Sequence, residues 1–195
     1  MPRTESNTIE LGTLVPEFTL PGKNGLDVGP HSVEVKPALL VAFISNRCPF
    51  VILIREELDR IGRDYADRGL AILAINSNDP EAHPEETAAR VATEAAEQGY
   101  TFPYLKDEDQ SVAHAFGAAC TPDLFLYGPE RRLVYHGQFD DARPGNGKPV
   151  TGADLRAAIE AVLDGRSPAS EQVPSIGCNI KWLQGTAPDR EAALA

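Results

Sequence analysis

Cys48 is the residue whose surroundings point most clearly to chemistry. It follows an apolar run, Ala38 to Ile44, and it stands directly before Pro49, which fits the first turn of a helix. A helix N-terminus carries about half a positive charge, so a thiol held there loses its proton more easily and becomes reactive. The sequence therefore predicts a nucleophilic thiol at Cys48. The alternative is an inert cysteine buried in the core.

Two neighbours of Cys48 are candidates for supporting roles. Arg47 carries a positive charge beside the thiol, although an arginine at the end of a loop is often simply solvated. The Ser45 hydroxyl is placed to hydrogen-bond a thiolate or a bound peroxide, or else to cap the following helix. We therefore predict catalytic roles for both residues and keep the structural alternatives open.

Composition excludes several classes of function. The 195 residues have a formal net charge of −11, which argues against binding to nucleic acids or anionic membranes. No apolar stretch is long enough to span a membrane, and the first residues lack the apolar segment of a secretory signal. The three cysteines, Cys48, Cys120 and Cys178, have no paired spacing typical of a zinc site. We expect a cytoplasmic protein with neither metal nor other cofactor.

The hydrophobic pattern predicts an α/β fold. Apolar runs indicate buried strands over 38–44 and 70–75, and a short alternating strand is expected over 15–20. Apolar spacing and turn residues predict helices over 49–67, 84–98, 110–116 and 153–163, the last capped by Thr151, and a hairpin from 124–127 and 132–139. We expect one domain over residues 1–166 and a docked C-terminal tail over 167–195.

Four motifs give the chain a resemblance to a known family. They are Val15-Pro16-Glu17-Phe18-Thr19-Leu20, Ser45-Asn46-Arg47-Cys48-Pro49-Phe50-Val51, Ala119-Cys120-Thr121-Pro122-Asp123 and Pro174-Ser175-Ile176-Gly177-Cys178-Asn179-Ile180-Lys181-Trp182. Together they resemble the redoxin branch of the thioredoxin superfamily, the alkyl hydroperoxide reductase/thiol-specific antioxidant proteins, and a peroxiredoxin-like subgroup of it. The resemblance implies a thioredoxin-like three-layer sandwich with a mixed central sheet and a C-terminal extension.

The chain departs from the patterns of this superfamily at three places. Val51 stands where thioredoxins have the second cysteine of Cys-x-x-Cys, so a local redox disulfide is excluded. Val41 stands at the proline position of typical peroxiredoxins, and Thr121-Pro122 replaces the segment where they carry an arginine. These departures favour disulfide chemistry or weak peroxide chemistry over fast peroxide scavenging.

The resemblance also implies roles for particular residues. Cys48 attacks a peroxide or a disulfide, and Cys120 is brought near it as the resolving thiol, with Cys178 as the alternative. Pro122 is implied to be a cis proline that leaves the Thr121 backbone open to an extended substrate, with Pro49 on the same substrate-binding surface. Cys178 and Trp182 are otherwise expected to anchor the tail.

The resemblance implies partners as well. The first hypothesis is a thiol-dependent oxidoreductase with a peroxide or disulfide substrate and a dithiol reductant such as thioredoxin. The second is a redox sensor or binding module that is switched by cysteine oxidation. A homodimer is compatible with either hypothesis. Turnover separates them, because an enzyme consumes its oxidant repeatedly whereas a sensor is oxidised once per chain.

Overall fold

The computed structural model describes residues 3–33 and 35–188 as ten strands, four α-helices and two short 3-10 turns. The strands are β1 Arg3–Glu5, β2 Leu20–Pro21, β3 Asp27–Val28, β4 Ala38–Phe43, β5 Leu70–Asn76, β6 Tyr104–Lys106, β7 Cys120–Thr121, β8 Asp123–Tyr127, β9 Leu133–Tyr135 and β10 Ile176–Asn179. The helices are α1 Pro49–Ala66, α2 Ala88–Gln98, α3 Ser111–Phe116 and α4 Ala153–Leu163, and the 3-10 turns are Lys23–Gly25 and Pro84–Glu86.

The central sheet has five strands in the order β6-β5-β4-β8-β9. β4, β5 and β6 are parallel to one another, β8 pairs antiparallel with β4, and β9 pairs antiparallel with β8. The predicted mixed sheet is therefore confirmed. Its middle strand, β4, is buried along its whole length, which accounts for the unbroken apolar run that precedes Cys48.

The two faces of the central sheet pack against different elements. Because side chains alternate along a strand, Leu40 and Ala42 of β4 join one core with residues of α1 and α4. Leu39, Val41 and Phe43 join a second core on the opposite face with residues of α3. This arrangement of helices on both faces is the predicted α/β sandwich.

A second sheet, β1-β10-β7, ties the C-terminal tail to the domain. β10 lies between β1 and β7 and is antiparallel to both. The segment 176–179 of the tail is therefore joined to the domain as a strand. The division at residue 166 stays a prediction, and residues 189–195 of the predicted tail lie outside the described residues.

Most of the predicted elements form, with instructive differences. The alternating segment 15–20 contributes only Leu20 to a strand. Leu14, directly before this segment, forms a single isolated bridge with Arg132. The first turn of α4 is preceded by Gly152 in a left-handed conformation, so Thr151 is not its cap. In the described part of the chain, no helix is long and apolar enough to cross a bilayer.

Candidate active site

Cys48 occupies the N-cap position of α1, and Pro49 is the first residue of that helix. The end of β4 leads directly into this turn, so the local sequence places the thiol at the positive end of an 18-residue helix. The Cys48 side chain is buried, with 1% of the residue exposed. Its Sγ donates a hydrogen bond of 3.0 Å to the carbonyl oxygen of Thr121. The predicted helix-mouth position of the thiol is confirmed.

The segment opposite Cys48 contains the predicted cis proline. The Thr121–Pro122 peptide bond is cis, and Thr121 is buried while Pro49 is exposed. Pro122 lines a small cleft together with the side chains of Phe50 and Ile54 from α1. The cis proline and the start of α1 therefore border one surface. The substrate-binding roles of Pro49, Thr121 and Pro122 stay predictions.

Cys178 is the thiol that the tertiary structure brings to Cys48. In the ladder between β10 and β7, Cys178 is the partner of Thr121, whose carbonyl accepts the Cys48 hydrogen bond. Burial, a hydrogen bond with Cys48 and the negative charge of that neighbour together raise the pKa of Cys178 to about 12. Cys178 is therefore held in its protonated form at neutral pH.

Cys120 lies in the same short strand as Thr121, next to the proline. It is fully buried, its ladder partner is Asn179, and its Sγ donates to the carbonyl oxygen of Pro122 at 3.5 Å. All three cysteines are free thiols. The resolving role of Cys120 stays a prediction. The hydrogen bond between Cys178 and Cys48 makes Cys178 the stronger candidate for that role.

A buried carboxylate holds the turn that carries Cys48. Glu86, which is 0% exposed, accepts hydrogen bonds from Ser45 Oγ at 2.6 Å and from the backbone N–H of Asn46 at 3.2 Å. Ser45 Oγ in turn accepts the backbone N–H of Arg47 at 3.3 Å. The described bonds of Ser45 therefore support a structural contribution, and its predicted catalytic role stays a prediction.

This turn is also fastened to the ends of β5 and β6. Asn76 donates to Glu86 at 2.5 Å and to the hydroxyl of Tyr104 at 3.0 Å, and that hydroxyl donates to Asn46 Oδ1 at 2.8 Å. Lys106 donates to Asn76 Oδ1 at 3.2 Å, and burial lowers the pKa of its ammonium group. Among the described residues, every buried side-chain polar atom has a hydrogen-bond partner, so the network fixes the turn rather than destabilising it.

Two cations lie near the thiols. Arg47 pairs with Glu85 at 2.9 Å and also contacts His83, so its guanidinium is held close to the helix start. Lys181 follows β10, and although burial lowers the pKa of its ammonium group, the charges of Cys178 and Cys48 act in the opposite direction. The charge of Lys181 favours an anionic sulfur in the site. The predicted catalytic role of Arg47 stays a prediction.

Sequence reasoning missed Glu86, Asn76 and Lys181. Glu86 stands in a polar run that reads as the start of a solvent-facing helix, and nothing in that run marks one carboxylate as buried. Asn76 begins the polar run Asn76-Ser77-Asn78-Asp79-Pro80, and this run was the available signal for a polar group at the end of β5. Within the described ranges, no group of three or more His, Cys, Asp or Glu side chains could hold a metal ion.

Comparison with known proteins identifies the family. The model of the AhpC/TSA family matches residues 11–136, a segment that includes β4, Cys48, α1 and the cis proline. The chain belongs to the AhpC/TSA family. This match confirms the resemblance that was drawn from the motifs around Cys48 and Pro122.

Two solved structures are similar to this AhpC/TSA protein, one at high and one at low sequence identity. A hypothetical protein from Sinorhizobium meliloti is 65% identical, with a TM-score of 0.92, and the match covers 93% of this chain and all of that one. The thioredoxin domain of a thiol-disulfide oxidoreductase from Bacteroides vulgatus is 15% identical, with a TM-score of 0.59, over 76% of this chain and 97% of that one. The fold is thioredoxin-like.

Two curated relatives carry functional names. The thiol-disulfide oxidoreductase ResA of Geobacillus thermodenitrificans is 26% identical over 123 residues, which are 63% of this chain and 66% of the relative. A Mycobacterium tuberculosis protein that bears the name Putative peroxiredoxin is 28% identical over 116 residues, 59% of this chain and 68% of the relative. This AhpC/TSA protein thus spans about two thirds of the length of each curated relative.

Proposed function

We propose that this chain is a thiol-dependent oxidoreductase whose redox centre is the pair Cys48 and Cys178. The observation that carries the proposal is the contact between the two thiols. Cys178 is the ladder partner of Thr121, and Cys48 is hydrogen-bonded to the carbonyl oxygen of Thr121. Membership of the AhpC/TSA family and the names of the two curated relatives support the same reaction class and do not favour a sensor.

The substrate we propose is a disulfide. The Cys48 thiolate attacks one sulfur of the substrate, a mixed disulfide forms, and the first substrate thiolate leaves and takes a proton from solvent. Cys178 then gives up its proton and attacks the Cys48 sulfur, which releases the second thiolate and forms the Cys48–Cys178 disulfide. The substrate gains two electrons and the protein loses two. A dithiol reductant returns them, and thioredoxin is one such dithiol.

The electrostatics support this order of attack. Burial, the hydrogen bond with Cys48 and the negative charge of a Cys48 thiolate raise the pKa of Cys178. Once Cys48 is bonded to the substrate, that negative charge is gone, while the attraction of Lys181 for a Cys178 thiolate remains. Cys178 therefore loses its proton more readily after the first step than before it. The first reaction prepares the second.

The sequence departures at Val41 and Thr121-Pro122 support disulfide over peroxide as the substrate. A cytoplasmic location, a homodimer and an antioxidant role stay predictions. Since disulfide reduction needs a supply of electrons, the proposal fits a compartment that holds a dithiol reductant. Comparing the rates at which reduced protein consumes hydrogen peroxide and a small disulfide tests the choice of substrate.

Counting released thiols tests the roles of the three cysteines. Reduced protein is mixed with excess 2,2′-dipyridyl disulfide, and each attack by or on Cys48 releases a coloured 2-thiopyridone. We expect the natural chain and Cys120→Ser to release two in rapid succession, Cys178→Ser to release one, and Cys48→Ser to release none at that rate. If Cys120→Ser stops at one while Cys178→Ser reaches two, Cys120 is the resolving thiol and the proposal is overturned.

A further inference from the structure

The C-terminal strand fills a position at the active site that an outside chain would otherwise be able to take. β10 pairs antiparallel with β7, in the register Cys178 to Thr121 and Asn179 to Cys120. Thr121 is the residue whose carbonyl accepts the Cys48 thiol, and Pro122 follows it. An extended backbone seated on β7 therefore carries a cysteine straight to Cys48. In this structure that backbone belongs to the chain itself.

The fit between the two strands is unusually close at Gly177. A Cβ atom built on Gly177 would lie 2.0 Å from the carbonyl oxygen of Thr121, 2.6 Å from its carbonyl carbon and 3.1 Å from the nitrogen of Pro122. These neighbours are backbone atoms, which cannot rotate away as a side chain would. The seat on β7 therefore accepts a cysteine only when the residue before it has no side chain.

With β10 in place, Cys48 is closed to large reactants. Cys48 is 1% exposed and Cys178 is 5% exposed. A partner's disulfide must come within bonding distance of the Cys48 sulfur, and the strand that carries Cys178 covers the approach along β7. Access for a protein partner therefore requires β10 to separate from β7, a local opening that breaks a ladder of only two residue pairs.

Anchors on both sides of β10 allow such an opening without loss of the whole tail. Before the strand, Ser175 donates through Oγ to the carbonyl of Gly137 at 2.8 Å. After it, the side chain of Gln110 accepts the backbone N–H of Leu183 at 2.8 Å and donates to the carbonyl of Lys181 at 2.8 Å. The strand is thus a segment tethered on both sides.

We infer that β10 is an internal occupant of a docking site on β7 whose outside ligand is an extended protein segment with a glycine directly before its redox-active cysteine. The partner segment adds to β7 as a strand in place of β10 and presents its cysteine to Cys48. The tail and the partner compete for one edge. This inference rests on the proposed function only in taking Cys48 as the reacting thiol.

The first test uses full-length Cys178→Ser protein, in which no Cys48–Cys178 disulfide intercepts the product. The probes are two peptides, alike except for Gly-Cys or Val-Cys, whose cysteine carries a 2-pyridyl disulfide. Attack by Cys48 forms the protein–peptide disulfide and releases 2-thiopyridone. We expect the Gly-Cys peptide to react at least about tenfold faster than the Val-Cys peptide, since only the first fits the seat. Equal rates would overturn the inference.

A substitution that displaces β10 from β7 makes this test stricter. Gly177→Ala clashes with the Thr121 backbone, so the reaction with the Gly-Cys peptide should become about tenfold faster as the open fraction rises. The matched control is Gly128→Ala, where an added Cβ meets only Val134 Cγ1 at an ordinary 3.5 Å. An unchanged rate in folded Gly177→Ala, or an equal gain in the control, would contradict the inference.

Hydrogen exchange gives a readout that needs neither the variant nor reactive Cys48. An S-methylated Gly-Cys peptide, added to unmodified reduced protein, should speed the exchange of the backbone amides of 176–179, while the Val-Cys peptide should not. No change with either peptide would sink the inference even if Cys48 reacts readily. If Cys48 fails to react with small dipyridyl disulfide in any variant, the proposed function is wrong, and the exchange result still decides the competition for β7.

Discussion

Cys178 and Thr121 face each other as partners in an antiparallel ladder, and the carbonyl of Thr121 is also the acceptor for the Cys48 thiol. A residue of the cis-proline segment thus joins two cysteines that lie far apart in the chain. The backbone of Thr121 sets the position of both sulfurs at once. Four predictions follow from this arrangement and from the groups around it.

Oxidation should stabilise the protein if Cys48 and Cys178 form the disulfide. A cross-link between these residues closes a long loop in the unfolded chain and should raise the free energy of unfolding by about 2–4 kcal/mol. Denaturant titration of the oxidised and reduced forms measures this difference. It should persist in Cys120→Ser and vanish in Cys178→Ser. A difference that survives without Cys178 would mean that another pair is oxidised.

Ser45→Ala should act on stability more than on the reactivity of Cys48. The substitution removes a donor from the buried carboxylate of Glu86, which should cost about 1–3 kcal/mol in the free energy of unfolding. The rate of Cys48 alkylation by iodoacetamide should fall by less than about threefold in the folded variant. Ser170→Ala, at an exposed position, is the control. A large loss of alkylation rate without a loss of stability would instead give Ser45 a direct catalytic role.

At high pH the free energy of unfolding of the reduced protein should depend on the ionisation of Cys178. Its pKa is raised from 9.0 to about 12 on folding, so below pH 9.0 both states hold the proton. Between pH 9.0 and about 12 the unfolded chain loses this proton first, and the folded state is destabilised relative to it.

The measurement is the difference in free energy of unfolding between the natural chain and Cys178→Ser across that range. Tyrosines ionise in the same window, and the comparison cancels them. The natural chain should lose stability more steeply as pH rises. Parallel curves would show that the Cys178 proton is not held by the fold.

Lys181→Gln should slow the reaction of Cys48. The ammonium group attracts the anionic form of the site thiols, so its removal should reduce the rate of Cys48 alkylation at neutral pH by about two- to tenfold. Lys148→Gln is the matched control, because Lys148 is exposed and pairs with Asp141 at 2.9 Å. Equal rates for the two variants would remove Lys181 from the electrostatics of the site.

The local sequence determined the first half of the site. The apolar run of β4, the proline after Cys48 and the helical spacing that follows are neighbours in the chain, so their pattern fixes a thiol at the start of α1. The same logic predicts β5, because a strand that is buried on both faces needs apolar residues at every position. The mixed arrangement of the central sheet was implied only by the family resemblance. The cis peptide bond before Pro122 was predicted only because the surrounding motif resembles that of the redoxin family.

Only the tertiary structure decided what meets Cys48. The residues around Cys178 do not indicate that its strand pairs with Thr121. The register of that ladder depends on both strands and on the close approach at Gly177. In the sequence, Glu86 is likewise indistinguishable from its half-buried neighbour Glu85 until the turn at Cys48 folds over it. The sequence by itself therefore determined which thiol stands at the start of α1, since that depends on adjacent residues. The fold decided which second thiol lies against it, since that depends on contacts between distant residues.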